Sequence, residues 1–157
     1  MVARLAGAGI PCLNPLPGVR LLRRPERLEQ RLVARGIPVP WSRAVQTYLV
    51  QPFVPNDGAD HKLYVIGDHV SGLLKPSPLL AGHLSSRAVF AVPDDLTRLA
   101  LAARRVCRLD LAGVDVVLGP DGPVVVDVNA FPGYRGVPGA AAAVADLVRA
   151  RIRAGDT

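Results

Sequence analysis

Apolar residues recur at helical spacing most clearly after Pro93 and Asp94, where Leu96, Leu99, Ala103, Val106 and Leu109 share one side and Arg98, Arg104, Arg105 and Arg108 fall between them. This predicts a helix with a solvated arginine face and with Cys107 as a small residue on its apolar side. Proline and glycine punctuate two further helices. One runs from Pro25 to Arg35 and closes at Gly36; the other is alanine-rich, opens at Pro138, reaches Arg153 and stops at Gly155. Two segment pairs read as antiparallel hairpins: Leu63 to Ile66 with His69 to Leu74 around Gly67-Asp68, and Val114 to Leu118 with Val124 to Val128 around Pro120-Asp121-Gly122. Thr47 to Val54 is a short apolar run whose Pro52 demotes its second half to an edge or a hinge. Leu13 to Gly18, Pro55 to Gly58, residues 79–92 and Asn129 to Val137 read as loops or turns, and Ile37 to Pro40 as an extended connector. Helices grouped around antiparallel hairpins make an α+β protein.

Length and composition narrow the class. With 157 residues, 50% hydrophobic and 20% charged, and a mean hydropathy of +0.27, the chain has the makings of one globular core, which excludes wholesale disorder. Cys12 and Cys107 stand apart, without the spacing of a zinc site or a disulfide scaffold, so a reducing compartment is expected. No apolar run approaches the ~18 residues of a membrane span and no signal-peptide pattern opens the chain, so the expectation is a cytoplasmic protein with no membrane partner.

The formal charge is +6, and residues 1–44 carry eight arginines against Glu26 and Glu29. That balance suits a phosphate-bearing partner or a polyanion. With aromatic residues at only 4%, little is available to stack on bases, which argues against nucleic acid. His61, His69 and His83 have no metal-ligand spacing and read as surface or loop residues; Trp41 and Phe53 read as packing residues.

The second hairpin carries the candidate chemistry. Asp127 and Asn129 are two apart and leave their strand on one face. If Pro120-Asp121-Gly122 is a three-residue loop, Gly119 pairs with Pro123, and the same register sets Asp115 opposite Asp127. Facing carboxylates repel, so such a pair implies something that offsets the repulsion. A divalent cation is the simplest candidate, and two carboxylates with a carboxamide oxygen form a hard donor set suited to Mg²⁺. Two alternatives stand beside it: both acids face solvent on a half-exposed sheet, or one stays protonated.

Gly113-Val114-Asp115-Val116, the hairpin, and Asp127-Val128-Asn129-Ala130-Phe131-Pro132-Gly133-Tyr134 together resemble the metal-binding end of the ATP-grasp superfamily, closest to its inositol polyphosphate kinases and to its glutamate ligases. Upstream, Gly36-Ile37-Pro38-Val39-Pro40 resembles the segment before the nucleotide-gripping subdomain. Val50-Gln51-Pro52-Phe53-Val54 resembles the hinge strand that meets adenine, and Asp60-His61-Lys62-Leu63-Tyr64-Val65-Ile66-Gly67 the strand that carries a basic residue toward phosphate; Lys75-Pro76-Ser77 stands where the inositol kinases have an arginine. The likeness spans most of residues 36–152 and implies a partial ATP-grasp fold, an antiparallel sheet with flanking helices. It divides the chain into a linker and helix over 1–44 and a catalytic subdomain over 45–157.

The resemblance implies that Asp115, Asp127 and Asn129 hold Mg²⁺ against ATP, that Gln51, Pro52, Phe53 and Val54 line the adenine slot, and that Lys62 and Lys75 face phosphate or substrate. The γ-phosphoryl group would then pass to a carboxylate, as in a ligase, or to a hydroxyl, as in a kinase. The acceptor would be a small molecule or a peptide. Arg135, just past Phe131-Pro132-Gly133-Tyr134, reads as an exposed residue rather than a substrate contact. The sequence departs from the family between Pro40 and Tyr48. Only Trp41 to Thr47 stand where relatives carry a lysine-bearing strand and a glycine-rich loop, and the preceding substrate-side domain is also expected to be missing. A chain so shortened would exclude water poorly and turn over weakly alone. That leaves open an inactive relative that binds nucleotide or a protein partner, a basic polyanion-binding module, and a homo-oligomer or partner chain that completes the cleft.

Overall fold

Alternation along one central strand sets up the architecture. The computed structural model describes residues 7, 8, 10, 12–77, 79, 80 and 86–155. In β3 (Ala59–Ile66), Leu63 and Val65 point to one side of the sheet and Lys62, Tyr64 and Ile66 to the other. β4 (His69–Pro76), β5 (Ala88–Phe90), β6 (Leu111–Gly119) and β7 (Gly122–Asn129) join it in a five-stranded sheet of order β5-β4-β3-β6-β7, antiparallel throughout. The α+β expectation is met. β5 lies inside the stretch read as a loop, because three residues are too few to give a period; His83 falls outside the described residues.

The Leu63 and Val65 side is the main core. α3 (Asp94–Cys107) lies on it through Leu96, Ala100, Ala103 and Cys107, all buried at helical spacing. Burial pushes the Cys107 thiol up to about 12, which makes it a packing residue. Leu109, expected to continue the helix, is buried just beyond it, since Arg108 turns out at φ 53. Arg104 departs from the solvated stripe: it donates to the Leu109 carbonyl at 3.1 Å and pairs with Asp68 at 3.2 Å. α2 (Pro25–Val33) and the connector add Leu32 and Ile37 to this core. α1 (Leu16–Leu22) corrects the loop expected at its start, since Pro17 sits in the first turn, where a missing N–H leaves no bond unmade. α1 closes on the end of α3 at Gly18, where a Cβ would stand 2.3 Å from the Cys107 carbonyl oxygen.

The opposite side is only partly covered. α4 (Ala140–Gly155) and the loop before it bring Ala140 and Val137 against Tyr64, Ile66 and Leu73, with Tyr134 tilted against Tyr64 at 5.7 Å. The other end of this side lies beyond that cluster.

Asn14 ties the layers together. Its side chain is 1% exposed, accepts from the N–H groups of Asp110 and Leu111 at 2.8 Å each, and donates to the carbonyls of Leu111 and Ala130 at 2.9 and 2.5 Å. Asp110 also pairs with Arg151 of α4. All four positions of a buried carboxamide are thus used.

Two further expectations are overturned. His61 is 8% exposed and edge-on to Phe90, because it shares a strand face with Leu63; burial holds its pKa below the ordinary range. Trp41 and Phe53 are 53% and 52% exposed; they flank β1 (Arg43–Val45) and β2 (Tyr48–Val50), which among the described residues pair with each other alone. No helix among the described residues is long and apolar enough to cross a membrane.

Candidate functional site

The β6–β7 hairpin places the acids, by a different route from the one the turn predicted. Gly119 pairs with Gly122, so the loop is the two residues Pro120 and Asp121, and the register starts one residue off the expected one. Continued unbroken, that register would set Asp115 against Val126. A β-bulge intervenes: Val116 pairs with Val125 and Asp115 with Asp127, which leaves Val126 as the extra residue. The bulge also explains why Val125 and Val128, three apart, are both buried at 2% and 5%. A regular strand would have sent them to opposite faces.

Asp115 therefore faces Asp127, and the cation beside them is Lys62. β3 pairs Lys62 directly with Asp115, and its Nζ donates to both carboxylate oxygens at 2.6 and 2.8 Å. The pair is half-buried, which makes it stronger than a solvent-exposed one. Gly113 lies close under Pro132, which a Cβ there would meet at 3.0 Å. Asn129 stands one step along opposite Gly113, and its Oδ1 accepts from the Phe131 N–H at 2.8 Å. That bond fixes the carboxamide and leaves a lone pair on the oxygen.

Lys75 pairs across the strands with Asp60, two residues before Lys62 on the same face. This end of the sheet thus gathers Asp60, Lys62, Lys75, Asp115 and Asp127. Asp60 is the member that sequence reading passed over, although its i, i+2 relation to Lys62 was there to be used. Partial loss of hydration and then the neighbouring Asp115 push the Asp127 carboxyl above its usual range although the residue is exposed, with Lys62 and the Val128 N–H offsetting part of the rise. Asp60 is raised by burial and then by Asp115. Lys75 is lowered by burial and then by Lys62.

Beside this cluster, a cleft of ≈ 240 Å³ runs between α2, the β1–β2 hairpin and the edge of β7. Asp127, Gln51, Leu49 and Glu29 line it. Glu29 accepts from the Ser42 N–H, and Gln51 Nε2 donates to Ser42 Oγ at 2.9 Å. The connector closes the sheet edge here, as the Val125 N–H donates to the Pro38 carbonyl at 2.9 Å. Of the hinge residues, Gln51 reaches the cleft. Pro52 and Phe53 lie outside its lining, and Val54 stands against Gly119 on the turn of the β6–β7 hairpin. Arg135 is exposed.

Among the described residues no cluster of three His, Cys, Asp or Glu side chains could hold a metal. The donor set is two facing carboxylates with an amide oxygen beside them. It is all oxygen, and Asp127 carries repulsion that Lys62 offsets only in part, so these residues fit a hard divalent ion.

Solved structures define the class. The chain superposes on a D-alanine–D-alanine ligase from Bacillus anthracis with a TM-score of 0.72 at 11% identity, over 99% of this chain and 76% of that one. The ATP-grasp ligase PsnB, in complex with a phosphomimetic variant of its minimal precursor, Mg and ADP, gives a TM-score of 0.71 at 18% identity, over 96% of this chain and 66% of that one. The fold is that of the ATP-grasp proteins. Within them, residues 17–146 match the RimK-like ATP-grasp domain, and the chain belongs to that family. A probable alpha-L-glutamate ligase 2 from Hahella chejuensis is 35% identical over 100 residues, which are 59% of this chain and 33% of the relative. The chain spans about a third of the length of the curated relatives it matches.

Proposed function

We propose that this chain is the phosphate- and metal-binding part of an ATP-dependent ligase. The observation that carries this reading is the set of Asp115, Asp127 and Lys62 on one face of the sheet, with Asp127 shared by the adjoining cleft. Asp115, Asp127 and Asn129 would hold Mg²⁺, which when bound supplies charge neutralisation for the triphosphate. Lys62 holds Asp115 in place and brings positive charge to the same face, where Lys75 adds a second cation. Gln51 offers its carboxamide to the nucleotide from the cleft wall.

The chemistry that fits is transfer of the γ-phosphoryl group of ATP to a carboxylate. The bond from the γ-phosphorus to the bridging oxygen breaks, ADP leaves, and the acceptor oxygen becomes part of a leaving group that an amine can displace. A carboxylate is preferred to a hydroxyl because ligase is the activity named for the Hahella, Bacillus anthracis and PsnB proteins alike. The acceptor is a small molecule or a peptide.

Thermal shift tests the reading. ATP and Mg²⁺ together should stabilise the protein beyond the sum of the separate additions, and Asp127→Ala or Asn129→Ala should remove the excess. Unchanged nucleotide affinity in both variants would reject the metal assignment. A second reading, a nucleotide-binding relative without turnover, is favoured by the β1–β2 hairpin, whose six residues are all exposed and include no lysine. It predicts the same thermal shift with no ADP release when glutamate or peptide acceptors are supplied.

A further inference from the structure

The helix layer on the far side of the sheet carries a feature that the ligase reading does not use. α1, the turn after it, α2 and α3 frame two adjoining grooves of ≈ 340 and ≈ 530 Å³ that share Arg31 and Arg108. Arg20, Arg24 and Arg27 line the first, and Arg35 and Arg105 the second. All seven arginines are exposed, and among the described residues no carboxylate lines either groove. None of them joins the four ion pairs among the described residues, which use Lys62, Arg104, Arg149 and Arg151. Seven exceeds the whole chain's formal surplus of +6, so the rest of the molecule is near neutral.

This concentration has a structural cause. Arg20 of α1, Arg24 between the helices, Arg27 and Arg31 of α2 and Arg35 just past it recur every three or four residues, and the close approach at Gly18 brings α1 against the end of α3. Unpaired like charges held together on packed helices repel, and an anion seated between them relieves that repulsion.

We propose that these grooves bind an acidic peptide segment, a run of Asp or Glu side chains laid across the helix layer. The chemistry favours a peptide over a nucleic acid. Among the described residues the grooves are lined by no aromatic side chain on which bases could stack, and their lining includes the aliphatic Leu21, Ala102 and Val106. Guanidinium forks pair bidentately with carboxylates as they do with phosphates, so the aliphatic lining and the missing stacking surface set the preference. The grooves share no lining residue with the cleft that holds Asp127, so the two can be tested separately.

Fluorescence anisotropy with a labelled ten-residue oligoglutamate provides the test, with an oligoglutamine and a ten-nucleotide thymidine strand as comparators. The intact chain should bind oligoglutamate more tightly than either comparator, with affinity falling steeply as salt is raised. Arg24→Gln/Arg27→Gln/Arg31→Gln/Arg105→Gln should weaken it by roughly tenfold or more, while Arg98→Gln, outside the grooves, and Asp127→Ala should leave it unchanged. Should the quadruple variant fold poorly, Arg27→Glu alone should weaken binding in the same direction. Equal binding by the groove variants, or a thymidine strand bound as tightly as the peptide, would overturn the proposal. Because Asp127→Ala removes the nucleotide response and not this one, failure of either reading leaves the other standing.

Discussion

Leu49 and Val50 of β2 are as apolar as Leu63 and Val65 of β3, yet they are 49% and 42% exposed where the β3 residues are 0% exposed. The difference lies in what stands beside each strand. β3 has β4 on one side, β6 on the other, α3 below and α4 over half of its upper face, whereas β2 has β1 alone. A two-stranded ribbon has no second layer against which to bury a face and draws little stability from its own pairs. Stability in this chain should therefore be concentrated around the five-stranded sheet, with the hairpin contributing through the cleft it walls.

Breaking the large sheet at its tie should have the largest effect. Asn14→Ala strands the Asp110 and Leu111 N–H groups and the Ala130 carbonyl, and puts a Cβ-bearing residue without a side-chain bond at φ 57. It should cost about 4 kcal/mol in denaturant unfolding. Lys62→Met keeps the aliphatic stem but leaves Asp115 facing Asp127 unpaired, for a loss of about 2 kcal/mol that Lys62→Met/Asp115→Asn should partly restore.

Asp127→Asn should act in the opposite direction, raising the stability of the metal-free protein at neutral pH by roughly 0.5 kcal/mol. A carboxyl raised above its ordinary 3.8 contributes stability below that value and loses it as pH climbs through the folded-state pKa. The gap between variant and wild type should thus be absent in acid and open with rising pH, while the joint response to ATP and Mg²⁺ disappears. A gap that closes with rising pH would show the sign to be wrong. The smallest effect belongs to the hairpin: Tyr48→Ser, at a residue 72% exposed, should leave stability within about 0.5 kcal/mol. A large loss there would mean that β2 is covered in solution.

How much was legible in the sequence varied with the kind of signal. α3 was, because Leu96, Ala103 and Cys107 repeat on one face over fourteen residues. The pairing of Asp115 with Asp127 was reached from a three-residue turn that is in fact two residues long, and a bulge at Val126 restores the match. A bulge leaves no mark on composition or period, so that agreement came through two displacements that cancel. α1 and β5 were hidden by their length, and Asn14 by its partners, which lie about a hundred positions away at Asp110, Leu111 and Ala130.

Local chemistry written in the chain determined the strands and helices with a sustained period, the acids and amide of the β6–β7 hairpin, and the likeness to ATP-grasp proteins. Only the packed molecule decided which cation sits beside Asp115, which hinge residue reaches the cleft, and that arginines from three helices line one surface. Periodicity fixes the face on which a side chain leaves its own element, whereas contacts between elements depend on register, bulges and close approaches that no single segment encodes.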